Sequence, residues 1–274
     1  MALIQLNMDQ AVKKMKPMHA GGQPPVISSA RPTHFHYLTE AGIPYSRLHD
    51  VGGSFGGGKY VDIPNIFRDF DADENDPASY DFDFTDVLIT GLIEAGIEPY
   101  FRLGITIENA VKVKPYFVFP PKDYDKWARI CEHIIRHYTE GWANGYEYKI
   151  TYWEIWNEPD NGQMWNGTAE DYYRLYHVAA SHLKKCFPHL KIGGYGSCGF
   201  YAIAQGGNPW SKKPPEADMH WVDYFHGFMR YIKEHNSPID FFSWHSYAPT
   251  ANTVRMDAWL HEQMVAYGYR ELET

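Results

Sequence analysis

The sequence predicts a parallel α/β fold of the (β/α)8, TIM-barrel kind, and three observations predict it. Apolar strand-like runs alternate with amphipathic helix-like runs along the whole 274 residues, the pattern that lays parallel strands against covering helices. Gly42, Gly96, Gly141 and Gly268 each follow a helical run, where a glycine ends the helix and releases the chain into the next strand. Long excursions from Asp50 to Asp83, Ile105 to Lys122 and Ser197 to Met219 all follow strands, which places them on the face where such barrels build their sites.

Taken in order, strands are expected at Lys16–His19, Pro44–His49, Glu98–Gly104, Thr151–Glu158, Lys191–Gly196 and Asp240–His245. Several are short and continuously apolar, as strands covered on both faces are. Helices are expected at Thr33–Ala41, Phe84–Ala95, Asp123–Thr139, Ala169–Cys186, His220–His235 and Met256–Tyr267. Six βα units result, and Tyr269–Thr274 reads as the start of a seventh strand. A closed barrel needs eight units, at roughly 250 residues or more. The expectation is therefore one barrel domain over residues 1–274, truncated after about six βα units, with strands seven and eight missing.

Composition narrows the partners. A net charge of -9 argues against nucleic acid, whose phosphates need clustered Lys and Arg. Aromatic residues are 16% of the chain, with 21 Tyr and 9 Trp, which suits a site that stacks flat faces against rings. Cys131, Cys186 and Cys198 are far apart and contain no Cys-x-x-Cys pair, so neither a disulfide framework nor a thiolate metal site is indicated. Lys13, Lys14 and Lys16 interrupt the first twenty residues, which read as neither a signal peptide nor a membrane span. A cytoplasmic location, or export with the signal removed, is the expectation.

The chemistry sits in Thr151-Tyr152-Trp153-Glu154-Ile155-Trp156-Asn157-Glu158-Pro159. Its large apolar residues suit a barrel strand, and Asn-Glu-Pro marks the turn out of it, so the carboxyl of Glu158 points into the mouth. Cleaving a glycosidic bond takes a carboxylic acid to protonate the leaving oxygen and a second carboxylate about 5 to 5.5 Å away in a retaining enzyme. Trp153 and Trp156 are expected to help keep Glu158 protonated near neutral pH, because desolvation disfavours the charged form. A turn with an exposed carboxylate is the plain alternative. The position at the end of a Trp-rich strand favours catalysis.

That run, with Arg47-Leu48-His49-Asp50 after the second predicted strand and Ser243-Trp244-His245-Ser246-Tyr247 after the sixth, resembles glycoside hydrolase family 39 of clan A, the family of β-xylosidases and α-L-iduronidases. The resemblance implies a retaining double displacement with Glu158 as acid/base. It implies that Asn157 bonds the sugar 2-hydroxyl, that His49 contacts the glycone, and that His245 and Tyr247 line its pocket, Tyr247 near the nucleophile. It also implies a nucleophilic glutamate at the end of strand seven, past Thr274. Glu271 and Glu273 are the carboxylates in reach, and Glu273 comes too soon after Gly268.

The expected partner is an oligosaccharide or glycoside, xyloside-like or arabinoside-like, from plant polysaccharide, with no metal and no organic cofactor. A clan A endoglycanase, or a catalytically incomplete carbohydrate-binding fragment lacking the nucleophile, are the alternatives.

Other signals are set aside. Gly53–Tyr60 approaches a P-loop, but Tyr60 stands where Mg²⁺ needs a hydroxyl from Ser or Thr, and Val61-Asp62-Ile63-Pro64 is expected to start no helix. His133 and His137 have zinc spacing without a metalloprotease context. His177, His182 and His226 are expected to pack in the outer helices. Arg102 is expected to pair with a carboxylate rather than meet substrate, while Trp165 and Tyr116 are open between stacking on sugar and covering the core.

Overall fold

The computed structural model describes residues 20–25, 27–28, 31–32, 34–49, 61–106, 117–208 and 214–274. The expected strand Lys16–His19, the Gly53–Tyr60 loop and Tyr116 lie outside them. A small antiparallel pair, β1 (Ile27–Ser28) and β2 (Arg31–Pro32), precedes the main sheet. That sheet holds five parallel strands in chain order: β3 (Tyr45–Arg47), β4 (Glu98–Leu103), β5 (Tyr152–Ile155), β6 (Lys191–Ser197) and β7 (Phe241–Trp244). Helices α1 (Phe35–Glu40), α2 (Ile63–Ile66), α3 (Asp83–Glu94), α4 (Tyr124–Thr139), α5 (Ala169–Cys186), α6 (Met219–Glu234) and α7 (Thr250–Tyr267) complete it. Neighbours in sequence that are also neighbours in the sheet are the layout of a barrel wall, and the result is an α/β half-barrel.

Period-two alternation divides the strands into two faces. Outward, Phe101 stacks on Trp153 with centroids 4.8 Å apart and meets Tyr138 of α4 at 5.9 Å, while Tyr195 meets Phe228 of α6 at 5.0 Å. Inward, Tyr100 stacks on Tyr152 at 5.6 Å and leans on Phe241 at 5.5 Å. Trp127, Trp153 and Trp156 are wholly or almost wholly buried, and burying one large apolar side chain contributes about 1.5–3 kcal/mol.

Helix ends follow local chemistry. Thr168 and Asp171 cap α5 reciprocally, Oγ1 accepting from the Asp171 amide at 3.1 Å and Oδ2 from the Thr168 amide at 2.9 Å. Gly42, Gly96, Gly141 and Gly268 have φ of 65°, 75°, 73° and 93°, the left-handed backbone that a glycine adopts without steric cost.

Most element ends fall within three residues of expectation, and two helices differ by more. Ile63–Ile66 does form one helical turn, with Asp62 before it and Pro64 in the first turn, where the missing proline N–H has no intrahelical partner to lose. Helix α7 starts at Thr250, six residues before the expected Met256. Among the described residues no helix is long and apolar enough to cross a membrane.

Candidate active site

The strand leading to Glu158 ends abruptly. Trp156 and Glu158 have φ of 76° and 48°, a left-handed conformation that costs about 1–2 kcal/mol per residue outside glycine. Three hydrogen bonds hold it: the Trp156 amide to Leu103 O at 2.6 Å, the Glu158 amide to Gly196 O at 3.0 Å, and Trp156 Nε1 to Met164 O at 3.0 Å. Gly104 permits the turn, since a Cβ there would lie 3.0 Å from Trp156 Cα. The expected strand Thr151–Glu158 is therefore cut at Ile155, and the side chain of Glu158 is presented at the C-terminal edge of the sheet.

A cavity of about 670 Å³ opens there, and Glu158, Asn157, His49, His245 and Tyr247 all line it, with Gly22, Gln23 and Arg47. Its five expected residues leave the sheet after β3, β5 and β7.

Arg47 is the keystone of the floor. Its Nε donates to Glu154 Oε2 at 2.8 Å and its Nη2 to Asn157 Oδ1 at 2.8 Å. Glu154 is fully buried, and its other oxygen accepts from Tyr100 OH at 3.4 Å. Because Arg47 occupies the carbonyl of Asn157, the side-chain NH2 group faces away from that bond and can donate to a ligand hydroxyl. The guanidinium fork fixes the distance between an acceptor on β5 and one in the turn that follows it.

Glu158 is only 15% exposed, and His245 Nδ1 lies 2.7 Å from its Oε1. Burial works to raise the carboxyl pKa, but hydrogen bonding and charge from His245, with hydrogen bonds from Asn161 and Cys198, lower it below the usual value. This corrects the expectation that indole surroundings keep Glu158 protonated. The indoles are buried beneath the strand end, and an imidazole reaches the carboxylate from β7. His49, by contrast, is held neutral by burial first and by the charges of Arg102 and Arg47 next. It faces a ligand as an uncharged hydrogen-bonding group.

Behind Glu158, Asp160 is 8% exposed and accepts from Ser197 Oγ at 2.7 Å and the Cys198 amide at 3.2 Å. Burial, which outweighs those hydrogen bonds, and the nearby charge of Glu158 push its carboxyl up to about 6.

Glu273 lies elsewhere. Its Oε1 pairs with Lys191, its Oε2 accepts from Tyr152 OH at 2.9 Å, and its backbone forms a parallel bridge to Phe241. Those partners stand at the N-terminal ends of β5, β6 and β7, the opposite edge from Glu158.

Arg102 binds Asp62 at 2.5 Å with both side chains fully buried, the expected structural pair. Trp165 is 3% exposed, packs edge-on against Trp156 at 5.1 Å and donates to Thr168 O, so it covers the core. His137 bonds Asp86 and Trp142 O and stacks on Phe82 at 3.6 Å, a packing role.

Reading residues along the chain missed the roles of Arg47, Glu154, Asp160 and Cys198. Arg47 and Glu154 both lie in strands that carry a motif, and a charged residue inside a buried strand was the available signal. Gly22 and Gln23 carried none.

A parallel βα sheet whose C-terminal edge presents a half-buried glutamate beside sugar-sized space is the layout of the barrel glycoside hydrolases. The chain belongs to glycosyl hydrolases family 39, whose family model matches residues 33–274. It is 28% identical over 226 residues to a beta-xylosidase of Geobacillus stearothermophilus, covering 80% of this chain and 39% of that protein. It is 29% identical over 215 residues to one of Caldicellulosiruptor saccharolyticus, covering 76% and 37%. The crystal structure of a glucosidase from Croceicoccus marinus superposes with a TM-score of 0.75 at 24% identity, over 96% of this chain and 52% of that one. The chain thus spans under half the length of these curated relatives.

Proposed function

We propose that the pocket binds the terminal sugar of a xyloside-type or arabinoside-type glycoside, and that Glu158 protonates the leaving oxygen in a retaining double displacement. The observation that carries this reading is the convergence of Glu158, Asn157, His49, His245 and Tyr247 on one cavity at the C-terminal edge of parallel strands. On this reading Asn157, fixed by Arg47, donates to a hydroxyl next to the reacting carbon. Neutral His49 supplies a second polar contact. His245 positions the acid, and once a bound sugar displaces water the carboxylate loses its solvation, which favours its protonated form. The two beta-xylosidase relatives support a pentoside.

The nucleophile is proposed to come from beyond Thr274. A strand that meets β7 with Glu273 level with Phe241 reaches the level of His245 four residues later, past the last residue given. The half-barrel is on this reading the first part of a (β/α)8 domain. Residues 1–274 alone then favour a second reading, carbohydrate binding without turnover, because Glu273 sits at the wrong edge.

A panel of nitrophenyl glycosides and xylan or arabinan polymers tests both. Pentoside hydrolysis with retained anomeric configuration by a chain extended past Thr274 supports the first reading, binding of pentose oligomers without hydrolysis by residues 1–274 supports the second, and turnover by residues 1–274 alone shows the nucleophile misplaced. Polymer cleavage with no pentoside activity overturns the substrate assignment. In an active form, Glu158→Ala should abolish hydrolysis of poor leaving groups and spare the first step on activated aryl glycosides, which need no acid; equal loss on both removes Glu158 from that role.

A further inference from the structure

We propose that Glu132, His182 and Cys186 form a divalent metal site, suited to zinc, that ties α4 to α5 on the outside of the half-barrel. The site is independent of the glycosidase reading. Spacing along the chain gives only its His182–Cys186 half, because Glu132 stands 50 residues before His182.

His182 and Cys186 are one helical turn apart on α5 and so share a face, and α4 brings Glu132 against that face. His182 Nε2 lies 2.5 Å from Glu132 Oε2 and 3.8 Å from Cys186 Sγ. One ligand atom from each lies within 4.8 Å of the others. Tetrahedral zinc, with bonds of about 2.0–2.3 Å, separates its ligand atoms by roughly 3.3–3.8 Å. The nitrogen–sulfur pair already stands at such a separation, and the nitrogen–oxygen pair has to open by less than about 1 Å. An imidazole, a carboxylate and a thiolate are a donor set that zinc accepts.

Access and charge agree. Glu132 and His182 are 14% and 29% exposed and Cys186 is half-buried, whereas Cys131 and Cys198 are buried. Arg136 binds Glu132 through Oε1 at 2.8 Å and leaves Oε2 for a metal. Its positive charge is shared with Glu140, so the carboxylates and a metal-bound thiolate offset Arg136 and Lys185. Binding displaces the thiol proton: M²⁺ and Cys–SH give Cys–S–M⁺ and one H⁺, while the imidazole binds through Nε2 with its proton on Nδ1. A water completes the fourth position.

The test is cobalt added to the folded 274-residue chain, followed by absorbance. One cobalt per chain is expected, with a near-ultraviolet thiolate-to-cobalt charge-transfer band that zinc abolishes, and saturating zinc should raise Tm by a few degrees (about 2–8 °C). Band and Tm shift should both vanish in Cys186→Ser and His182→Ala and persist in Cys198→Ser, with circular dichroism showing each variant folded. Should His182→Ala fail to fold, the near-isosteric Cys186→Ser decides alone. A band that survives Cys186→Ser, or no bound zinc or cobalt at micromolar concentrations, overturns the proposal.

Discussion

His245 Nδ1 and Glu158 Oε1 lie 2.7 Å apart although their strands, β7 and β5, are separated by β6. The contact sets the protonation balance of Glu158, the acid proposed above. A hydrogen bond to a charged group contributes about 1.5–3 kcal/mol, or on the order of one to two pH units. Since His245 lowers the Glu158 pKa, His245→Ala should raise it. The high-pH limb of kcat/KM for poor leaving groups, which falls as the acid ionises, should then move up by about one pH unit. An unmoved limb would show that His245 does not tune the acid.

Asp160 makes stability depend on pH. Its folded pKa of about 6 lies above the value in an unfolded chain, so the folded state holds the proton more tightly. This contribution is fully present below the unfolded pKa and is lost as pH rises through about 6. Asparagine keeps hydrogen bonds to Ser197 and Cys198 without titrating. Asp160→Asn should therefore remove up to ~3 kcal/mol of the decline between roughly pH 4 and 7, read from urea midpoints across that range.

Asp62→Ala should be among the most damaging single changes. It strands the fully buried Arg102 and removes the acceptor of the Thr106 amide and hydroxyl, at 2.9 and 3.0 Å. Losing one partner of a buried pair costs about 3–5 kcal/mol. Combining it with Arg102→Met should recover much of that loss in denaturant midpoints.

Gly196→Ala should separate activity from folding. The new Cβ would stand 3.1 Å from Arg47 Nη2 and 3.5 Å from Asn157 Oδ1, at φ +63°. Left-handed alanine costs about 1–2 kcal/mol, which a domain of this size survives. Displacing Asn157 should lower kcat/KM by ~10-fold or more. Steady-state kinetics beside a Tm measurement distinguish the two effects.

Much of this was legible along the chain because it depends on near neighbours. Helix α5 begins and ends where its apolar period and its Thr168 cap place it, and Asn157-Glu158-Pro159 turns out of a Trp-rich strand as such a sequence should. The protonation of Glu158 was not legible, since Trp153 and Trp156 are adjacent in sequence while the residue that decides it is 87 positions away. The start at Ile63 carried a local signal, Asp before Ile-Pro, that the preceding glycine-rich run obscured. Arg47 needed the register: only when Arg47 stands level with Tyr100 and Arg102 with Glu154 does its fork reach two acceptors.

The Arg47 fork has a kinetic meaning as well. It joins residues 107 and 110 positions apart, and closures of that length are slow to form. On dilution from denaturant the helical ellipticity should return first, and the pocket that Arg47 holds together last.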